Sequence, residues 1–218
     1  SGQLYNGTDM GRIYRIVPEE ASVSNPFDIQ LGKADNAELV EKLAHPNLWW
    51  RRHAQRLLID RKAVEQATKL QQIVRESPSA AGRLHALWTL EGLELTDEAI
   101  IREALKDEEA GIRDNAIKIA ELHLEAYPAL KNSLYQLSED EDPKVRFQLL
   151  CTLGEINEAR AQEIAWQILQ RDLGDEWVQY AALSTAAGQE DTWLTRASAE
   201  LNTPEAAPFF SKLAGVIG

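Results

Sequence analysis

The stretch Asp142-Pro143-Lys144-Val145-Arg146-Phe147-Gln148-Leu149-Leu150 holds a turn signal, a helix start and a buried stripe within nine residues. Asp140-Glu141-Asp142 followed by Pro143 marks a helix N-terminus. A short acceptor side chain there satisfies free N–H groups, proline fits the first turn, and negative charge meets the positive end of the helix dipole. Three, four and seven residues after Arg146 stand Leu149, Leu150 and Leu153, the spacing of a helix that buries one face.

The same frame recurs along the chain. A polar anchor falls at Arg51, Arg83, Arg113, Arg146 and Gln179, at intervals of 32, 30, 33 and 33 residues. Three residues after each stands Ala54, Ala86, Ala116, Leu149 or Ala182, and seven after each Leu58, Leu90, Ala120, Leu153 or Ala186. Before each anchor lies a turn: His45-Pro46-Asn47, Ser77-Pro78-Ser79, Asp107-Glu108-Glu109, Asp140-Glu141-Asp142 and Gly174-Asp175. A weaker sixth copy places its anchor near Ser211, followed by Ala214.

A further helix is expected before each turn, at about 36–44, 62–75, 97–106, 128–138, 158–171 and 190–201. The chain from 36 to 218 thus reads as about six helical hairpins. One hairpin cannot cover its own apolar face, so successive pairs must stack into an all-α solenoid. Upstream, Leu4-Tyr5 and Arg12-Ile13-Tyr14-Arg15-Ile16-Val17 flank a Gly-bearing turn, so residues 1–17 read as a β-hairpin remnant of a sheet domain. Residues 18–35, with Pro18, Pro26 and Gly32, read as a linker. The chain opens on Ser1-Gly2 without an initiator Met or a signal peptide, as a piece of a longer protein does.

The acidic or proline turn, the apolar residue, the Arg and then the small and large apolar residues at helical spacing resemble the HEAT repeat family. The resemblance covers about 180 residues and implies a right-handed α–α superhelix. A narrower resemblance rests on Leu43-Ala44-His45-Pro46-Asn47-Leu48-Trp49-Trp50-Arg51-Arg52-His53-Ala54 and on Arg83-Leu84-His85-Ala86-Leu87-Trp88-Thr89-Leu90. These strings look like the helical region of large bacterial proteins of the membrane-bound dehydrogenase type. In that family a β-propeller precedes the HEAT-like array and a c-type haem domain often follows it. The segment Gln3-Leu4-Tyr5…Asp9…Gly11-Arg12-Ile13-Tyr14-Arg15-Ile16 looks like the closing strands of such a propeller. The resemblance implies a periplasmic or secreted protein whose redox chemistry lies outside this chain, which has no Cys-x-x-Cys-His.

The charge balance limits the partners. In 218 residues, 23 Lys and Arg stand against 35 Asp and Glu, a formal charge of −12. A chain this acidic does not attract a polyanion, so nucleic acid is not expected as a partner. No run of about 18 apolar residues occurs, so no membrane insertion is expected. Cys151 stands alone, which excludes an internal disulfide and any Cys-pair metal motif.

The anchors Arg51, Arg83, Arg113 and Arg146 invite two readings, a structural ladder or an anion-binding strip. A cation near a helix start is unfavourable unless paired, and Arg offers five donors in a fixed fork, so the ladder is preferred. Asp107, Asp114, Asp140, Asp142 and Asp175 are the candidate partners. Trp49, Arg52, His53 and His85 form a candidate interaction surface. His53 and His85 share one frame position, but no further ligand completes a metal set. Cys151 reads as a buried filler, and Trp88, Trp166, Trp177 and Trp193 read mostly as core or rim. No catalytic motif, metal or cofactor is expected in the fragment. The leading expectation is a non-catalytic scaffold that binds a protein partner or neighbouring domains of its own chain. The alternative is a structural part of a haem-linked sugar or alcohol dehydrogenase.

Overall fold

The structure, a computed structural model, describes residues 30–217. The β-hairpin expected at 1–17 and most of the linker lie outside these residues. The chain divides into two units, Ser1–Lys33 and Ala34–Gly218. Of the first, a single 3-10 turn at Leu31–Lys33 is described.

The second unit is all-helical among the described residues. Its twelve α-helices are α1 (Asn36–Lys42), α2 (Leu48–Asp60), α3 (Ala67–Glu76), α4 (Ala80–Gly92), α5 (Glu98–Ala104) and α6 (Ala110–Leu122), then α7 (Leu130–Tyr135), α8 (Pro143–Leu153), α9 (Ala159–Arg171), α10 (Glu176–Thr185), α11 (Glu190–Glu200) and α12 (Ala206–Ile217). The caps follow the side chains. Asp35 forms a reciprocal capping box with Glu38 at α1, and Asn47, Ser79, Asp142 and Asp175 cap α2, α4, α8 and α10. Lys62 and Glu94 adopt the left-handed conformation, with φ of 53° and 59°. They sit in Schellman turns, with Ala63 N–H on Leu58 O at 3.0 Å and Leu95 N–H on Leu90 O at 2.9 Å. These turns send the chain from α2 into α3 and from α4 into α5.

The even-numbered helices pack each on the next, from α2 to α12, while α3 packs on α5 and α5 on α7. Ala54, Ala86, Ala116, Leu149 and Ala182 are fully buried along the even row. Four of the five carry only a methyl group, which lets neighbouring helix axes come close. Leu58, Leu90, Ala120, Leu153 and Ala186 complete the stripe one helical turn later. The first two hairpins meet tightly at Gly82, where an added Cβ would stand 3.0 Å from the Ala44 Cβ and 3.2 Å from the Ser77 Oγ. The turn of the first repeat therefore lies against that of the second, and a side chain at position 82 would force them apart.

Four features depart from the sequence reading, the first being the helix expected at 62–75, which is a 3-10 turn at Val64–Gln66 before α3 begins at Ala67. The helix expected at 128–138 is split into α7 and a 3-10 turn at Gln136–Glu139. In the sixth copy, Ser211 and Ala214 are exposed, and α12 buries Ala206, Phe209 and Leu213 instead. The weak copy lacked an Arg to fix its register, and the large ring of Phe209 took the buried position. Trp166 and Trp193 are buried, but Trp177 is 71% exposed, because it falls in the first turn of α10 and outside the buried stripe.

Candidate functional site

Carboxylates join three of the frame arginines end to end. Arg83 grips Asp107 with Nε and Nη2, both at 2.8 Å, and Arg113 grips Asp140 in the same way, both at 2.7 Å. Arg146 holds both oxygens of Asp172, its Nε at 2.7 Å. The remaining amino group of each, Nη1, donates to the carbonyl six residues earlier: Ser77 at 2.8 Å, Asp107 at 2.8 Å and Asp140 at 2.7 Å. Asp107 and Asp140 therefore each serve two arginines, the preceding one through the carboxylate and the following one through the backbone carbonyl. Each carboxylate also accepts the N–H two residues on, of Glu109 and Asp142, at 2.9 Å. Bidentate charge-assisted bonds of this kind are the strong ones.

The row continues with a neutral anchor. Gln179 Nε2 donates to Leu173 O at 2.7 Å, and Gln179 Oε1 accepts from Lys212 Nζ of α12 at 2.8 Å. The remaining candidate carboxylates are used elsewhere. Asp114 pairs with Lys118 at 2.8 Å, while Asp142 and Asp175 cap α8 and α10. The partner of Arg146 is Asp172, which the sequence reading did not single out.

Electrostatics follow from these contacts. Hydrogen bonds donated to their carboxylates raise Arg83, Arg113 and Arg146 above the ordinary guanidinium value. Burial works against the charge of Asp140, but the bonds from Arg113 and the Asp142 N–H and the fields of Arg113 and Arg146 outweigh it. Its carboxyl is held below the usual range.

Arg51 differs from the other three. Its Nη1 donates to His45 O at 2.6 Å and Pro46 O at 2.8 Å. Its Nε is buried and has no partner among the described residues. The residue in register with Asp107 and Asp140 is Ser77, whose carbonyl accepts from Arg83 but whose side chain carries no carboxylate.

The other candidates gather on α2. Leu48, Trp49, Arg52, His53, Gln55, Arg56 and Ile59 line an open groove of about 720 Å³. Leu48 and Trp49 are 50% and 43% exposed. His53 stacks on Trp49 with ring centroids 4.1 Å apart, and its Nδ1 lies 2.8 Å from Trp49 O. His85 lies on α4 and reaches across to α2, with its Nδ1 2.7 Å from Gln55 Oε1. The two histidines are thus bound to different partners. Among the described residues no three His, Cys, Asp or Glu side chains come together to hold a metal ion. No described helix is long and apolar enough to cross a membrane.

Burial, and then the like charges of Arg51 and Arg52, lower the pKa of His85 below its ordinary 6.5. The folded chain therefore favours the neutral ring. Its contribution to stability is complete above about pH 6.5 and is lost as pH falls through the lowered value. His85→Gln is expected to remove this component. Thermal unfolding between about pH 7 and pH 5 should then show a smaller decline in Tm for the variant than for wild type.

Sequence reasoning missed a second set of links across the even row. Trp88 Nε1 donates to Asn115 Oδ1 at 2.9 Å, His123 Nε2 lies 2.8 Å from Glu91 Oε2, and Thr152 Oγ1 donates to Glu121 Oε2 at 2.5 Å. With His85 and Gln55 these pairs are separated by 27, 32, 31 and 30 residues. Each separation is close to one repeat, and that is the signal that could have found them. Cys151 is exposed at the surface of α8, contrary to its reading as a buried filler. It follows Leu149 and Leu150, so the helical turn carries it off the buried stripe. Desolvation of the sulfur by the neighbouring groups and the charge of Glu121 raise its thiol above the ordinary value, which disfavours the reactive thiolate.

Compared with known proteins, the chain matches no family model, and no curated protein matches it.

Proposed function

We propose that the chain is a non-catalytic protein-interaction module built as a HEAT-like α-solenoid. The succession of even helices and the Arg–Asp links, each about one repeat long, support the solenoid. The observation that carries the functional reading is the outer face of α2. There Leu48 and Trp49 stand exposed beside Arg52 and Arg56, with no helix laid over them among the described residues. Helix α2 holds Arg51, Arg52 and Arg56 against Asp60 alone, in a chain of net charge −12. A basic, aromatic face on an acidic protein fits a polypeptide segment that combines acidic with aliphatic or aromatic side chains. Such a segment belongs to a separate protein or to a neighbouring domain of the same chain. Nucleic acid is the poorer fit, because the rest of the surface repels it.

The test is a peptide-display selection on the full chain and on a Trp49→Ala/Arg52→Glu variant. Wild type is expected to enrich acidic-hydrophobic sequences whose affinity falls at least about thirtyfold on the variant, since buried Trp and Arg anchors are each worth ~2 kcal/mol or more. Enriched peptides that bind the variant equally well would remove the α2 face from the proposal. Failure to enrich any acidic sequence would remove the stated partner chemistry.

A further inference from the structure

We propose that Arg51 is a receptor for a carboxylate ligand, held by the same fork that Arg83, Arg113 and Arg146 close on their own aspartates. In those three rungs Nε and Nη2 take both oxygens of one carboxylate, and Nη1 takes a backbone carbonyl. Arg51 has the carbonyl half of this arrangement, through His45 and Pro46. The carboxylate half has no counterpart among the described residues, and the buried Nε is left without an acceptor. An unsatisfied buried donor beside a positive charge is costly, so an acceptor that reaches it gains the full bond.

The cause lies in the sequence at one position. Ser77 occupies the place of Asp107 and Asp140 in every other respect. Its carbonyl accepts from the next arginine at 2.8 Å, and its Oγ accepts the N–H of Ser79 at 3.2 Å. The contact of both Ala44 and Ser77 with Gly82 places the Ser77 turn against the one that anchors Arg51. A hydroxyl is too short and carries no charge, so it cannot replace the two oxygens of an aspartate.

The ligand class follows from the fork. Two roughly parallel N–H donors match two oxygens of one planar group, and three carboxylates already occupy that geometry in this chain. Arg51 as a whole is only half-buried, and Pro46, whose carbonyl accepts from its Nη1, is exposed. The positive field at His85 from Arg51 and Arg52 is the charge such a ligand would offset. This site faces the His45–Pro46 turn and stands independently of what the groove along α2 takes. A free small acid and an acidic side chain or C-terminus of a polypeptide share the chemistry.

The experiment is a titration of the 218-residue chain with sodium acetate, with a short capped peptide containing one Asp, with sodium phosphate, and with sodium chloride at matched ionic strength. Two signals are followed by NMR: the Arg51 Nε–H, identified by its loss in Arg51→Gln, and the titration midpoint of His85. Acetate is expected to move the Arg51 signal saturably and to raise the His85 midpoint by ~0.3 pH unit or more, while chloride does neither. A tighter response to the peptide than to acetate assigns the site to a polypeptide carboxylate, and equal responses assign it to a free acid. Ser77→Asp, which supplies the carboxylate from within, should bring the Arg51 signal close to those of Arg83, Arg113 and Arg146 and abolish the acetate response. Arg51→Gln should leave His85 unmoved by acetate. An acetate response no larger than that of chloride overturns the proposal, as does a full response in either variant. A response to phosphate alone overturns the carboxylate assignment.

Discussion

Arg113→Ala is expected to destabilise the fold by ~3–5 kcal/mol, the range for removing one partner of a buried ion pair. For a chain of this size that lowers Tm by roughly 6–20 °C. The reason is what remains behind. The Asp140 side chain is only 5% exposed, and without Arg113 it keeps a single N–H, that of Asp142, as a donor. The damage also spreads, because the Asp140 carbonyl holds Arg146. The sign of the pH dependence separates this account from simple loss of packing. In the wild type the depressed Asp140 value contributes stability that is present above about pH 3.9 and lost as pH falls through the folded value. In Arg113→Ala burial is opposed only by the Asp142 N–H and the field of Arg146, so that carboxyl rises above its wild-type value, and the deficit should be largest near neutrality and should shrink as pH falls through the carboxylate range. Arg113→Leu/Asp140→Leu removes both charges and should recover most of the loss, since well-packed apolar replacements of a buried pair are often neutral. A Tm decrease of under about 3 °C, the same at every pH, would show that the rung is decorative.

The repeat frame was readable because it is written in two periods at once. Residues at three, four and seven after each anchor define a helix, and recurrence every 30–33 residues defines its neighbours. The caps were readable for a local reason, since Asp142, Asp175, Asn47 and Ser79 bond backbone N–H groups within two or three residues. The partners of the arginines were harder, because a bidentate contact spans a repeat and depends on the length of the next turn. Asp107 and Asp140 lie six residues before the following anchor, whereas Asp172 lies seven before Gln179. That extra residue splits the two roles, so the carboxylate of Asp172 takes Arg146 and the carbonyl of Leu173 takes Gln179. The same logic makes the Ser at position 77 informative only in three dimensions. Read alone, Ser77-Pro78-Ser79 is as good a turn as Asp107-Glu108-Glu109; its meaning comes from the guanidinium one repeat earlier. Exposure of Trp177 and Cys151 was lost for a related reason, since apolar character is easily mistaken for burial when the stripe beside it is apolar too.

The ladder and the methyl-lined stripe act on different parts of the same contact. The stripe is non-directional and would tolerate a helix sliding along its neighbour, since Ala54, Ala86 and Ala116 present similar methyl surfaces. A planar fork on a planar carboxylate permits little slippage, and the carbonyl bond at the far end of each Arg fixes the turn that precedes it. Apolar burial thus supplies the attraction and the charged pairs supply the register. By this argument the junction between the first two hairpins lacks the carboxylate grip that fixes the register of the next three. Gly82 compensates by letting the two turns touch.

Trp166→Ala is expected to cost ~3–5 kcal/mol, and the loss should be local. Trp166 on α9 is 1% exposed and is the largest fully buried side chain. Its neighbours come from α11: Trp193 meets it edge-on at 5.3 Å, and the Arg196 guanidinium covers the ring at 4.7 Å. Its Nε1–H donates to Glu200 Oε2 at 2.8 Å. The side chain is therefore a principal link between the last hairpin and the one before it. On the proposed solenoid, stability is a sum of repeat and nearest-neighbour terms, so removing this link should release α11 and α12 and leave the rest folded. Hydrogen exchange should show loss of protection in α11 and α12, while the amides of α4, α6 and α8 keep theirs. Trp166→Phe retains the ring but loses the N–H, and Glu200 keeps its bond to Arg196 at 3.0 Å, so about 1 kcal/mol is the expected loss. If Trp166→Ala lowered protection equally in every helix, the chain would be one cooperative globule. The stacked-hairpin architecture, and with it the scaffold reading, would then have to be given up.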